Sequence, residues 1–263
     1  MSAGVSRTCA TTGLRLHASP RAQVWRIAKA AYGPLAPLPR SGDASADPQA
    51  WGRFDTRGGR TAYVAASREC AFAEMLAYFQ RRLGRVDPLA KDAAALGLDV
   101  GALGSIVAAE WAERGHMEPG HLAVGWRAER RLYELQLPPD GWWIDVEHPD
   151  TIAAIRFALE HELAAVGVQT LDRSVILGPS RSASVLISTW VRALALDDGQ
   201  YAHGITWQSK HGTGRCWGFW LRRVDDDADI VSEPLQMIGD GEPINAEDRD
   251  LIAVAERMGL RVW

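Results

Sequence analysis

The sequence predicts an α+β fold built on a mixed, largely antiparallel sheet core with flanking helices. Three observations lead there. Strand-like and helix-like segments follow one another without a regular βα alternation. The helical segments repeat apolar residues at the spacing of one helix face. Large aromatics that bury well on sheets are abundant, with 11 tryptophans that cluster late: Trp126, Trp142, Trp143, Trp190, Trp207, Trp217, Trp220 and Trp263.

Taken in order, residues 1–21 read as a loose leader, and 22–263 as a single domain with an insertion around 84–120. Residues 22–28 (AQVWRIA) predict a strand holding Arg26. Residues 33–52 are rich in Pro, Gly, Ser and Asp and predict a loop. Residues 60–66 (RTAYVAA) alternate like a strand, and Ser67 suits a helix N-cap. Phe72, Met75, Leu76, Phe79 and Leu83 then fall at helical spacing over 68–83. Residues 84–120 are Ala/Gly-rich with weak helical signals, as expected of a covering layer. Three strands are predicted at 122–127, 130–137 and 142–146. A helix over 149–165 carries Ile152, Ile155, Phe157, Leu159 and Leu163, and a second over 182–196 carries Val185, Leu186, Trp190, Leu194 and Leu196. Strands at 203–209, 215–222 and 230–237 and a helix at 246–258 complete the chain.

Composition narrows the function. With 263 residues, 47% hydrophobic and 24% charged, the chain is long enough for one large α/β-type domain. A net charge of −4 gives no global basic field for nucleic acid or an acidic membrane, leaving only a local basic patch at Arg53, Arg57 and Arg60. The three cysteines, Cys9, Cys70 and Cys216, are far apart and contain no CxxC, so neither a disulfide framework nor a cysteine zinc site is expected. The seven histidines are scattered without an HExxH, so no metal is expected. No apolar h-region or 18-residue apolar span occurs, which predicts a cytoplasmic protein.

The chemistry-bearing residues begin at Gly52–Leu76 (GRFDTRGGRTAYVAASRECAFAEML), where arginines and glycines run into a strand holding Tyr63 and then a helix holding Glu74. Glycine lets backbone approach a phosphate and arginine supplies charge, although a solvated basic hairpin fits equally. GxGxxG and GxxxxGK[ST] are both absent, which excludes a Rossmann fingerprint and a P-loop. Arg26 is either a half-exposed strand arginine or a guanidinium gripping a pyrophosphate or ribose. Tyr63 is either a core tyrosine or a ring that stacks on nicotinamide or ribose. Glu74 falls nearly opposite the Phe72–Leu76–Phe79 stripe, so it is a surface glutamate unless that face lines a cleft. There it would stabilise an oxocarbenium-like ribose. Residues 178–184 (GPSRSAS) read as a helix start whose free amides also suit an anion. GITWQSKHGTGRCW holds a strand followed by the polar run Gln208–Ser209–Lys210–His211, where His211 has no carboxylate near in sequence to make it a base.

The order Trp25-Arg26-Ile27, Arg53-Phe54, Tyr63-Val64-Ala65, Glu74, a Ser-rich helix start and GITWQS resembles the RES-domain family over about residues 22–222. FDTRGGR stands where typical members have a GGRWN sequence. The resemblance implies an ADP-ribosyltransferase-like fold and a toxin, paired with an Xre-type antitoxin protein, that consumes NAD by hydrolysis or phosphorolysis. NAD is then a substrate, with inorganic phosphate as an optional co-substrate and no cofactor. On this resemblance Arg26, Tyr63, Glu74 and Ser182 are the catalytic set. Ser180 and Ser184 are alternatives for the family serine. Arg53, Phe54, Ser180 and Ser209 are the further NAD contacts. Arg26 and Arg53 would hold the diphosphate and ribose, Tyr63 the nicotinamide end, Glu74 the ribosyl cation, and Ser182 the ribose or the incoming water or phosphate. ADP-ribosyl transfer to a macromolecule and a non-catalytic module that keeps the pocket are the alternatives. Self-association stays open, and neither membrane nor direct nucleic-acid contact is implied.

Overall fold

A computed structural model describes residues 5–80, 89–113, 121–122, 124–226 and 234–262. The elements run β1 (Ser6–Thr8), β2 (Arg15–Ala18), β3 (Gln23–Lys29), β4 (Thr61–Ala65), α1 (Arg68–Leu76), α2 (Ala90–Leu96), α3 (Val100–Glu113), β5 (His121–Leu122), α4 (Val124–Ala128), β6 (Arg130–Gln136), β7 (Trp142–Asp145), α5 (Pro149–Ala158), α6 (Glu160–Ala165), α7 (Arg173–Ile176), α8 (Arg181–Ala193), β8 (Gly204–Gln208), β9 (Arg215–Trp220), α9 (Arg222–Asp225), β10 (Gln236–Pro243), α10 (Arg249–Arg257) and β11 (Arg261–Val262).

Nine strands form one sheet in the order β1-β2-β7-β8-β9-β4-β3-β6-β10. Every neighbouring pair is antiparallel except β7 with β8. That parallel step needs a crossover, which α5–α8 provide. The mixed α+β architecture expected from the sequence is the one observed.

Side chains alternate across the strands, and both faces of the central strands are buried. In β9, Cys216 and Trp220 join the larger apolar cluster, which includes Phe72 and Leu76 of α1, Ile187 and Val191 of α8, and Leu251 and Val254 of α10. Trp217 and Phe219 of the same strand join a smaller cluster on the other face with Val24, Val64, Leu135 and Trp143. Two-sided burial explains why β9 carries Trp217, Phe219 and Trp220 in succession.

Several boundaries differ from expectation. Residues 6–18, read as part of a loose leader, add two strands to the sheet. Leu16 pairs with Ile144 and is fully buried, and Leu14 is fully buried beside it. The segment 122–127 is largely helical, because α4 turns Trp126 inward to meet Phe79 edge-on at 6.3 Å. The helix expected over 149–165 is two helices that meet at Leu159. Ile152, Ile155, Leu159 and Leu163 keep the three- and four-residue spacing of a single face. Phe157 lies off that spacing and is 90% exposed. The strand expected at 230–237 begins outside the described residues and continues as β10. The insertion around 84–120 contributes α2 and α3 among the described residues. No described helix is long and apolar enough to cross a membrane.

If the segment before β3 is an integral part of the sheet, truncating a single buried side chain there must be felt globally. Leu16→Ala is expected to lower unfolding stability by about 2–5 kcal/mol. An unchanged denaturant midpoint for that variant would show that β2 does not contribute.

Candidate active site

The loop before β4 is folded back on itself by one buried carboxylate. Asp55 accepts the Tyr63 hydroxyl at 2.8 Å and the Gly52 amide at 2.9 Å, and it pairs with the Arg40 guanidinium. The Phe54 amide donates to the Tyr63 oxygen at 2.9 Å. Gly52 lies so close to this ring that a Cβ would fall 2.5 Å from the Tyr63 oxygen. Trp51 sits between Arg40 and Arg57, whose guanidinium carbons are 5.9 and 5.5 Å from its ring centre. This packing presents Arg53 on the side facing α1 and α8.

Helix α1 is started by Ser67, whose hydroxyl accepts the Cys70 amide at 3.1 Å. Its apolar face buries Phe72, Ala73 and Leu76. Glu74 lies on the other side and is only half-buried. That side is covered by the turn between β8 and β9. Ser209 donates to Glu74 Oε1 at 2.6 Å, and the Ser209 oxygen accepts the amides of His211 at 3.2 Å and Gly212 at 2.9 Å. The serine hydroxyl is therefore aimed by two backbone donors and delivers its own proton to the carboxylate.

Helix α8 brings its N-terminus to the same place. Ser180 is the N-cap and accepts the Ala183 amide at 3.4 Å. Arg181 donates to the Trp51 carbonyl at 3.1 Å and the Gly178 carbonyl at 3.3 Å, which ties the helix start to the arginine loop. Lys210 donates to the Leu177 carbonyl at 2.9 Å.

The electrostatics show one shared environment. Burial lowers the Arg53 pKa, the nearby Arg181 charge lowers it further, and Glu74 opposes both. Burial also lowers Lys210, reinforced by Arg53 and Arg181 and opposed by Glu74. His211 is lowered by burial, with Glu74 opposing and Lys210 and Arg53 reinforcing. Three cationic side chains, Arg53, Arg181 and Lys210, thus act on one another, and Arg53 and Lys210 also feel the Glu74 carboxylate. Such a site carries surplus positive charge and suits an anion. The Arg53 Nε is buried without a protein partner.

Each residue singled out in the sequence can now be placed. Arg53, Glu74 and Ser209 meet. Tyr63 lies within the field of Arg53, but its hydroxyl is committed to Asp55, and its pKa is pushed well up by burial and by that carboxylate. Arg26 has a different environment: its Nη1 donates to the Tyr63 carbonyl at 3.0 Å. The β3–β4 ladder registers only at Trp25 and Ala65, so the guanidinium satisfies a carbonyl beside that opening. Burial lowers the Arg26 pKa to about 10, and its Nε has no partner. The charges that act on Arg26 are Tyr63 and Asp55 rather than Glu74.

Phe54 needs correction as an NAD contact: it is fully buried, with its ring centre 4.7 Å from that of Trp207, so it is a core residue. Ser180 is occupied by capping. Ser184 is fully buried, with its hydroxyl directed to the Arg181 carbonyl at 3.5 Å. Ser182 is half-buried in the first turn of α8 and bonds to no described residue. Of these serines, the one that touches Glu74 is Ser209. Arg181 and Lys210 were not singled out from the sequence. The signal lies in GPSRSAS and QSKH, where each cation stands next to a serine.

Residues 23–136 match the family model of the RES domain. A search of curated proteins finds no match. Among solved structures, the crystal structure of the M. tuberculosis MbcT-MbcA toxin–antitoxin complex is similar at 13% identity, covering 92% of this chain and 90% of that chain, with a TM-score of 0.39. The matched span includes Arg26, Arg53, Tyr63 and Glu74.

Proposed function

We propose that this protein is an NAD-degrading enzyme that cleaves the bond between nicotinamide and ribose, and that it acts as the toxin of a toxin–antitoxin pair. The observation that carries the reading is the Ser209–Glu74 hydrogen bond at 2.6 Å inside a cluster of three cations. The RES domain match supports it.

The chemistry needs little beyond positioning and charge. As nicotinamide departs, positive charge grows on the ribose, and a fixed carboxylate facing that carbon stabilises it. Glu74 supplies the carboxylate, and Ser209 fixes its orientation. Arg53, Arg181 and Lys210 hold the diphosphate, or an incoming inorganic phosphate that attacks the ribosyl centre. Arg53 offers a fork of donors, of which the buried Nε is still unused. Ser182, at the first turn of α8, is placed to meet the ribose or the acceptor. Tyr63 shapes the wall, with its hydroxyl anchored away from the ligand, and Arg26 supports that wall through the Tyr63 carbonyl. Positioning of this kind can supply several kcal/mol of barrier lowering without a covalent intermediate.

The acceptor is phosphate or water, and the protein works in the cytoplasm, where depletion of NAD arrests growth. An antitoxin protein of the Xre type would restrain it by covering the cleft between α1, α8 and the β8–β9 turn.

Incubation of purified protein with NAD, with and without phosphate, is expected to release nicotinamide. Absence of release in both buffers overturns the proposal. If labelled NAD instead tags a macromolecule, the acceptor assignment fails while bond cleavage stands. Glu74→Gln is expected to reduce kcat by about 10²–10³-fold, comparable to removing one pre-organised electrostatic group. Arg181→Ala removes a charge-assisted hydrogen bond of about 1.5–3 kcal/mol and is expected to raise KM by roughly 10–100-fold, with the smaller effect on kcat. Equal losses in kcat and kcat/KM for that variant would place Arg181 in the transition state instead.

A further inference from the structure

Two of the three cysteines lie directly beneath the site, and the proposed chemistry uses neither. Cys70 is in the first turn of α1, and Cys216 is in β9. Both are buried as free thiols with their sulfurs 3.6 Å apart. Cys9, the third, is buried at the other end of the chain and has no sulfur neighbour among the described residues.

The pair is connected to Glu74 in two ways. Cys70 and Glu74 are four residues apart on α1, so they project from neighbouring positions on one helix side. The turn that carries Ser209, the hydrogen-bond partner of Glu74, also packs against the backbone of Cys70. The turn that carries Ser209 covers the pair. A Cβ at Gly212 would fall 2.8 Å from the Ala73 Cβ and 3.5 Å from the Cys70 Cα, so this turn is pressed onto α1. Thr213 and Gly214 at its tip are exposed.

We infer that Cys70 and Cys216 are an oxidation site for hydrogen peroxide, and that the disulfide they form reversibly disables the Glu74–Ser209 pair above it. The first step is attack of the Cys70 thiolate on one peroxide oxygen. The O–O bond breaks, hydroxide leaves and takes up a proton to become water, and Cys70 becomes a sulfenic acid. Cys216 then loses its proton and attacks the Cys70 sulfur, and the sulfenic oxygen departs as a second water. Two thiols lose two electrons to one peroxide. The division of roles fits the surroundings: the hydrogen bond from Cys216 lowers the Cys70 pKa, whereas the same pairing and burial push Cys216 up. Closing the sulfurs from 3.6 Å to a bond draws α1 toward β9 and displaces Ser209 from its present contacts.

The effect on turnover rests on the proposed function; the oxidation does not. Full-length protein is treated with stoichiometric peroxide, and thiols are then counted after unfolding, together with the intact mass. The expected result is loss of two thiols and of the mass of two hydrogens, reversed by dithiothreitol, with a Cys70–Cys216 peptide in the digest. Cys70→Ser and Cys216→Ser each abolish that product. Retention of all three thiols, or a bridge that includes Cys9, overturns the inference. Amide exchange over residues 209–214 reads the second half without any substrate and is expected to change at least tenfold on oxidation of the wild type only. Nicotinamide release is expected to fall at least tenfold in parallel. Unchanged exchange, or full turnover by the disulfide form, overturns the inference of a latch. If the reduced protein releases no nicotinamide, the proposed function fails while thiol count and exchange still decide the oxidation.

Discussion

The buried carboxylate of Asp55 is the constraint on which the site depends. Its two oxygens take the Tyr63 hydroxyl, the Gly52 amide and the Arg40 guanidinium, which together satisfy the charge. A carboxylate 2% exposed is costly unless it is paired in this way. Because those partners come from the loop and from β4, satisfying Asp55 fixes the loop against the strand. Gly52 makes the fit feasible, since a side chain there would occupy the space of the Tyr63 ring. Trp51 and Arg53 follow in position, Trp51 offering its carbonyl to Arg181 and Arg53 offering its charge to the cleft.

This arrangement separates support from chemistry. Tyr63 and Arg26 hold the wall through bonds to Asp55 and to a strand carbonyl. Arg53, Arg181, Lys210 and Glu74 share one electrostatic field. Three elements distant in sequence supply that field: the loop before β4, the start of α8 and the turn after β8. Glu74 is the group on which they converge, and Ser209 is its hydrogen-bond partner.

Much of the sheet was legible because alternation and helical spacing are local signals. The strands around Arg26, Tyr63 and Trp217 and the helices around Phe72 and Ile187 are where those patterns place them. The N-terminal strands were not legible: Leu14 and Leu16 are too few to mark periodicity, and their burial depends on pairing with Ile144, far along the chain. Trp126 misled because a single buried aromatic fits a strand or a short helix equally well. For the site, the family resemblance gave Arg53, Glu74 and Ser209 individually. No local pattern says that Ser209 rather than Ser182 reaches Glu74, since that follows from how the β8–β9 turn lies over α1. Phe54 was misassigned for a related reason: adjacency to a functional arginine says nothing about which way an aromatic ring points.

The single parallel step in the sheet has a temporal consequence. Strand β8 can join β7 only after the whole α5–α8 crossover has been made and packed, and long-range closure of this kind is a slow event in folding. Ser209 follows Glu74 by 135 residues, which at about 5–20 residues per second is roughly 7–27 s of synthesis. A nascent chain therefore exposes its acidic residue well before its serine partner exists, and the cleft closes among the last steps of maturation. The Glu74–Ser209 hydrogen bond is therefore absent from the half-made molecule on the ribosome.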